Sequence, residues 1–229
     1  MVKLYLYLDL MSQPARSVLG FCLLNKIEHE IIDVYISKGM NRGEDYLKIN
    51  PHGEIPAIKL VEDDGKEFIL YESCTILRFL SYYYKTDEHW YNRQDIKRRA
   101  LIDQYLDWHH SNTRKNLAPY FFNNFAIPKF LEFGIKVPKV YHDEKEMNIV
   151  LKYLDWRLKN SKYIVDDTIT IADLMLYNEL IELLPTKFEY YNYPNISKYI
   201  DVISDNSEIK KANSVLKKAC EKSGVKTKF

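Results

Sequence analysis

Residues 3–34 read KLYLYLDLMSQPARSVLGFCLLNKIEHEIIDV, and the change of period inside that stretch decides the fold. Lys3 to Leu8 is a short, almost wholly apolar run, which suits a central strand covered on both faces. Ser12-Gln13-Pro14 then offers polar residues followed by a proline in the first turn of a helix. Ala15, Val18, Leu19 and Cys22 fall at i, i+3, i+4 and i+7, a helical stripe that Leu23 and Leu24 widen enough for packing on two sides. Glu30 to Val34 returns to a strand pattern. Strand, helix and strand in so short a span make a βαβ unit, and its crossover is expected to be right-handed.

Outward from that unit, Ser37 to Gly43 reads as a loop and Glu44 to Ile49 as a short helix. Asn50-Pro51-His52-Gly53 is a turn signal. Ile55-Pro56 opens a third strand, Ala57 to Val61, and Asp63-Asp64-Gly65 returns the chain into a fourth, antiparallel strand over Glu67 to Leu70. Ser73 is placed to cap a helix carrying Ile76, Leu77, Phe79, Leu80 and Tyr83. Residues 1–84 thus read βαβ-α-ββα, an α/β domain. Thr86 to Gln94 is mostly polar and reads as a linker.

From Asp95 onward the pattern is helical, so residues 92–229 are expected to form an all-α domain. Its helices run from Ile96 to Lys115, Ala118 to Phe133, Glu144 to Asn160, Ile171 to Leu184, Asn195 to Ser204 and Glu208 to Lys222. Pro128 is expected to kink or split the second, and Pro138 breaks the chain. Thr170-Ile171-Ala172-Asp173 has the form of a capping box at the start of the fourth, which should be the buried axis of the domain.

Composition narrows the function classes. Of 229 residues 46% are hydrophobic and 28% charged, ample core for a soluble globular protein. Lys+Arg 33 against Asp+Glu 32 gives a net charge of +1, without the basic excess of a nucleic-acid binder. Cys22, Cys74 and Cys220 are too few and too scattered for a disulfide framework or a zinc site, and without a CxxC there is no dithiol chemistry. A reducing, cytoplasmic setting is the expectation. No apolar run reaches the ~18 residues of a membrane span, and Met1 to Asp9 has no signal-peptide pattern.

Three positions offer chemistry. Ser12 follows the C-terminal end of the first strand at the start of the first helix, where unpaired N–H groups and the helix dipole favour an anion; on position alone, simple capping is the plainer reading. Ile55-Pro56 fits either a proline at a sheet edge or a cis peptide that turns the Ile55 backbone toward an extended peptide-like ligand. Glu72-Ser73 at the next helix start fits either capping or the binding of an amino acid, with Ser73 and the helix end taking an α-carboxylate and Glu72 the ammonium.

Together these signals resemble the cytosolic glutathione transferases, most closely the theta class. The stretches that carry the resemblance are Leu8–Arg16 (LDLMSQPAR), Asn50–Ala57 (NPHGEIPA), Tyr71–Leu80 (YESCTILRFL), Trp90–His110 (WYNRQDIKRRALIDQYLDWHH) and Thr170–Leu174 (TIADL). The resemblance weakens after about residue 185. It implies a thioredoxin-like N-terminal domain joined to an all-helical one, and glutathione and a small electrophile as co-substrates. It also implies no cofactor and a two-fold homodimer. Ser12 would then be the catalytic residue that donates its hydroxyl hydrogen to the sulfur. Ile55 would pair with the cysteinyl backbone, with Pro56 cis, and Glu72 and Ser73 would hold the γ-glutamyl end. Arg114, shortly after Trp108-His109-His110, would favour the anionic sulfur, though a solvated helix position fits it as well.

Two positions depart from the pattern. The theta-like His in the loop before the second helix is Asn41 here, and the Lys before the Ile/Val-Pro pair is Glu54. Both hold the glycine carboxylate of glutathione in theta-like members, so weak affinity at that end is expected, with Arg42 and His52 as candidates to compensate. Asn41 and Glu54 also favour a second function, a non-catalytic module that binds a partner protein. Met11, Tyr120, Phe121, Phe122 and Phe125 are candidates for an apolar electrophile pocket, or plain core. Ile209, Ala212, Val215, Leu216 and Ala219 form an apolar stripe on the last helix, which fits a packed surface helix or a lid over the site. His109-His110 is no metal signal, because adjacent residues on a helix face different ways.

Overall fold

The computed structural model describes residues 2–132 and 134–229. Four strands form one mixed sheet: β1 (Lys3–Leu8), β2 (Glu30–Asp33), β3 (Ala57–Val61) and β4 (Glu67–Tyr71), in the order β2-β1-β3-β4. β1 runs parallel to β2, with Leu6 opposite Ile31, and antiparallel to β3, with Leu6 opposite Ile58. The alternation along β1 turns Leu4, Leu6 and Leu8 into the core, where they meet Ile58 and Leu60 and the apolar faces of α1 (Gln13–Leu24) and α3 (Ser73–Tyr83). The opposite face is covered less than the apolar run suggests. Tyr5 and Tyr7 stay half-buried, and Tyr7 packs at 6.1 Å between centroids on Tyr46 of the one-turn helix α2 (Glu44–Leu47).

α1 is the shared wall of the two domains. Gln13 to Cys22 are all buried, against α3 on one side and against α8 (Ile171–Glu182) and α10 (Ser207–Ala212) on the other. Polar residues stitch this contact: Gln13 Nε2 donates to the Met175 carbonyl at 2.9 Å and Ser17 Oγ to the Leu174 carbonyl at 2.9 Å. The segment read as a polar linker is docked as well. Trp90 and Tyr91 are buried, Trp90 lies edge-on to Phe21 at 5.5 Å, and its carbonyl accepts the Ile171 N–H at 3.1 Å. Two large aromatics outweigh the polar residues around them.

The helical half departs from the expected boundaries in four places, one of them the end of the Glu144 helix, at Arg157 and not Asn160. Ile96 to Glu132 is one continuous helical run: α4 (Ile96–Trp108), a π-helical stretch His109–Arg114, α5 (Lys115–Phe121), a second π stretch Phe122–Ala126, and α6 (Ile127–Glu132). Pro119 and Pro128 therefore sit inside helix rather than ending it. Each follows a π stretch, whose wider turn accommodates a residue with no N–H. The expected end at Phe133 lies outside the described residues. After α7 (Glu144–Arg157), α8 stops at Glu182 and not Leu184, and Pro185 holds the next turn as a 3₁₀ segment. α9 (Pro194–Ser204) is as expected, but the last helix divides at Asn213 into α10 and α11 (Ser214–Lys222). The Asn213 amide donates to the Ile209 carbonyl at 3.0 Å, a side chain competing with the helix ladder.

The capping box of α8 is formed as the sequence predicts. Asp173 is fully buried and accepts from the N–H groups of Ile164 and Thr170 at 2.8 Å, the Thr170 hydroxyl at 3.0 Å and the Tyr199 hydroxyl at 3.1 Å. Replacing Thr170 by Ala removes one cap, and Asp173→Ala orphans three buried donors, the Tyr199 hydroxyl keeping the carbonyl of residue 173. Urea unfolding should therefore show a loss of about 1 kcal/mol for Thr170→Ala and about 3 kcal/mol or more for Asp173→Ala.

Candidate active site

The turn between β1 and α1 is held from several sides. The Asp9 carboxylate accepts the Met11 N–H at 2.9 Å with one oxygen and the Ile36 N–H at 2.9 Å with the other. The Ser12 N–H donates to the Asp9 carbonyl at 2.8 Å. From beneath, the buried Arg16 guanidinium donates to the carbonyls of Leu10 at 3.2 Å and Met11 at 2.9 Å. Ser12 occupies the N-cap position of α1, yet its side chain makes no capping bond. Its hydroxyl is thus left to the cavity that Ser12 lines.

That cavity, about 740 Å³, lies at the junction of the two domains. It brings together Met11, Ser12, Asn41, Glu54, Ile55, Pro56, Glu72, Ser73, Arg114 and Phe121 of the residues predicted from sequence. Tyr120 is not among them. Its ring packs edge-on against Phe188 at 5.4 Å and His142 at 5.5 Å, inside the helical domain, because Tyr120 and Phe121 are adjacent and a helix turns them apart. Phe122 and Phe125 do line the cavity, and so do Val215, Lys218 and Ala219 of α11, so the end of the chain forms part of its wall.

Two more features shape the thioredoxin-like side. The Ile55–Pro56 peptide is cis. The preceding turn is tied across to the 37–43 loop: the Asn41 amide donates to the Gly53 carbonyl at 2.8 Å and Arg42 Nη1 to the His52 carbonyl at 2.7 Å. Gly53 sits at φ 66°, and a Cβ there would lie 2.8 Å from the Asn41 carbonyl oxygen, so this close approach requires glycine. The N-cap of α3 is Glu72 and not Ser73, which is the helix's first residue. Glu72 has φ 70° and ψ 105°, a strained conformation for a residue with a side chain, at a cavity wall.

The sequence reading missed a buried charge cluster. Arg114 Nη1 lies 3.1 Å from Glu179 Oε2 and 3.9 Å from Glu182 Oε2, while Arg16 Nη2 lies 3.7 Å from Glu182 Oε1. Burial penalises both acids, but Arg114 and His109 hold Glu179 below the ordinary carboxylate range. Glu182 is held less firmly, by Arg16, Arg114 and the Gln13 backbone N–H. Burial first and the Glu179 charge second push it up to about 7, against Arg16 and Arg114. The sequence signal was Glu179 and Glu182 in the C-terminal half of a mostly apolar helix, beyond the Asp173 of its capping box. His110 also lines the cavity, with Nε2 3.3 Å from the Cys74 sulfur. Burial pushes that thiol up to about 12, so it is a thiol and not a thiolate.

A thioredoxin-like α/β domain, a helical domain and a cavity at their junction are the architecture of a glutathione transferase. The family model for the glutathione S-transferase N-terminal domain matches residues 12–81, and that for the C-terminal domain matches residues 136–213. The chain is 34% identical over 196 residues to glutathione S-transferase theta-2 of Homo sapiens, covering 82% of this chain and 75% of that one. It is 33% identical over 179 residues to glutathione S-transferase theta-1 of Bos taurus, covering 78% and 72%. The crystal structure of human glutathione transferase theta-2 in complex with glutathione and an unknown ligand superposes with a TM-score of 0.82 at 31% identity, over 96% of this chain and 90% of that one. The chain belongs to the glutathione transferase family.

The strain at Glu72 has a measurable sign. At most positions Ala is more stable than Gly; at φ 70° the order should invert, with Glu72→Gly about 1 kcal/mol more stable than Glu72→Ala in urea unfolding.

Proposed function

We propose that this protein joins glutathione to small electrophiles, with Ser12 activating the thiol. The observation that carries this reading is the Ser12 hydroxyl: it borders the cavity at the N-terminus of α1 and is not used as a cap. A free thiol has a pKa of about 8.5, so becoming mostly thiolate at neutral pH requires a drop of roughly 2 units, or about 2.7 kcal/mol. A hydrogen bond to a charged group contributes about 1.5–3 kcal/mol, and a helix N-terminus about 0.3–1 kcal/mol. Ser12 and α1 together therefore suffice. Arg114 adds to the field, although Glu179 already compensates most of its charge.

Glutathione would lie along the thioredoxin-like wall. Ile55 offers backbone hydrogen bonds to its cysteinyl residue, and Glu72, Ser73 and the α3 N-terminus take the γ-glutamyl ammonium and carboxylate. At the glycine end, the Asn41 amide is engaged with Gly53 and Glu54 repels a carboxylate. Arg42 lines the cavity and is the cation at that end, whereas His52 packs edge-on to Tyr71 at 5.8 Å. The electrophile would sit against Met11, Phe121 and Val215. Exposed aromatic surface around Phe68 and Tyr83 supports a homodimer, as the resemblance implies.

The alternative, a partner-binding module without catalysis, draws its support from Asn41 and Glu54 alone. Retention of a 740 Å³ cavity beside a free hydroxyl favours the enzyme. Ser12→Ala should raise the pH at which bound thiol ionises by about 1–2 units, read from thiolate ultraviolet absorbance, and slow turnover with it. An unchanged pH–rate profile removes Ser12 from the mechanism. In calorimetric titration Glu54→Lys should bind glutathione about five to ten times more tightly, a gain of roughly 1 kcal/mol.

A further inference from the structure

Glu182 ends α8 at the wall of the cavity that Ser12 lines. It is 2% exposed, and its Oε2 has no hydrogen-bond partner. A buried carboxyl oxygen left without a partner forgoes its solvation and gains nothing in exchange, so such oxygens are rare in folded proteins. Neither neighbouring guanidinium reaches it: Arg16 stops at 3.7 Å from Oε1 and Arg114 at 3.9 Å from Oε2. The groups around it are Arg16 and the Gln13 N–H from α1, Arg114 from the first π stretch, Glu179 on its own helix, which pairs with His109, and Lys218 on α11, which lines the same cavity.

The charge count of this cluster depends on one proton. Arg16 and Arg114 bring two positive charges and Glu179 one negative. With Glu182 ionised the four groups are neutral; with Glu182 protonated one positive charge is left over. A sulfur anion in the cavity favours the second state. Losing a proton from the thiol and gaining one on Glu182 therefore support each other, since a single negative charge changes place and the total stays constant. The carboxyl's ionisation near 7 makes both states accessible at neutral pH.

On the transferase reading above, we propose that Glu182 is the proton relay of this site, accepting the proton shed by the bound thiol and returning it to an oxygen that leaves the electrophile. The S–H bond breaks, the proton passes to the Glu182 carboxylate, and sulfur keeps the electron pair. Sulfur attacks carbon, the C–S bond forms, the C–O bond of a strained cyclic ether breaks with its pair on oxygen, and Glu182 delivers the proton there. Thiol plus epoxide gives a hydroxy thioether, with no further reactant. A halide departs as a stable anion and takes no proton, so the relay has nothing to return to it.

The test compares Glu182→Gln with wild type on glutathione plus a small terminal epoxide and on glutathione plus a primary alkyl halide. The epoxide-to-halide rate ratio should fall at least about tenfold, and the ionisation near 7 should vanish from the epoxide pH profile. Glu182→Asp, which keeps the acid, should recover part of the ratio. Equal slowing of both substrates, or a wild type that turns over the halide but not the epoxide, overturns the relay. A wild type that turns over neither overturns the transferase reading and the relay with it, so the halide rate separates the two failures.

Discussion

The buried guanidinium of Arg16 is the constraint on which the site rests. It is fully buried, and it faces two ways. Toward the thioredoxin-like domain it holds the carbonyls of Leu10 and Met11, the turn that aims Ser12. Toward the helical domain it donates to the Asn178 carbonyl at 3.3 Å and faces Glu182. A charge taken out of water is stable only when such partners surround it. The relative placement of the two domains, the path of the Ser12 turn and the charge state of Glu182 are thereby linked through one side chain.

Around that side chain the chemistry divides by location. Ser12 and the α1 N-terminus bring a hydroxyl and helix N–H groups to the cavity wall. The acids that titrate lie on α8, in the helical domain. The hydroxyl and the acids thus come from different domains, and the cavity is where they meet. The strained backbone of Glu72 and the cramped Gly53 turn stand at the same junction, where conformational cost is tolerated because binding surface is gained.

The thioredoxin-like half was legible because its signals are local. The apolar run at Lys3–Leu8, the helical stripe after Ser12 and the turn residues before Ala57 each report on a few neighbours, and the four strands follow. The predicted glutathione residues Asn41, Glu54, Ile55, Pro56 and Glu72 lie on short segments between those elements and Ser73 opens α3, so they reach one cavity as soon as the elements are right. The helical half was legible in kind but not in detail. Pro128 read as a kink or split, and the π stretch before it absorbed the proline. Trp90 read as part of a linker, and the facing surface of Phe21 buried it.

By itself, then, the chain's order of residues determined the α/β-then-α organisation, the capping box at Thr170 and the family motifs around Ser12, Ile55 and Glu72, because periodicity, caps and turns act over a few residues. Only the tertiary structure decided that Asn41 is occupied with Gly53, that Tyr120 turns away from the cavity and that Glu182 stands at its wall beside two guanidinium groups. Those outcomes depend on packing between segments that are not neighbours in sequence, from Asn41 and Gly53, 12 residues apart, to Gln13 and Met175, 162 residues apart. The electrostatics of a buried carboxyl belong to its surroundings, and no local pattern encodes them.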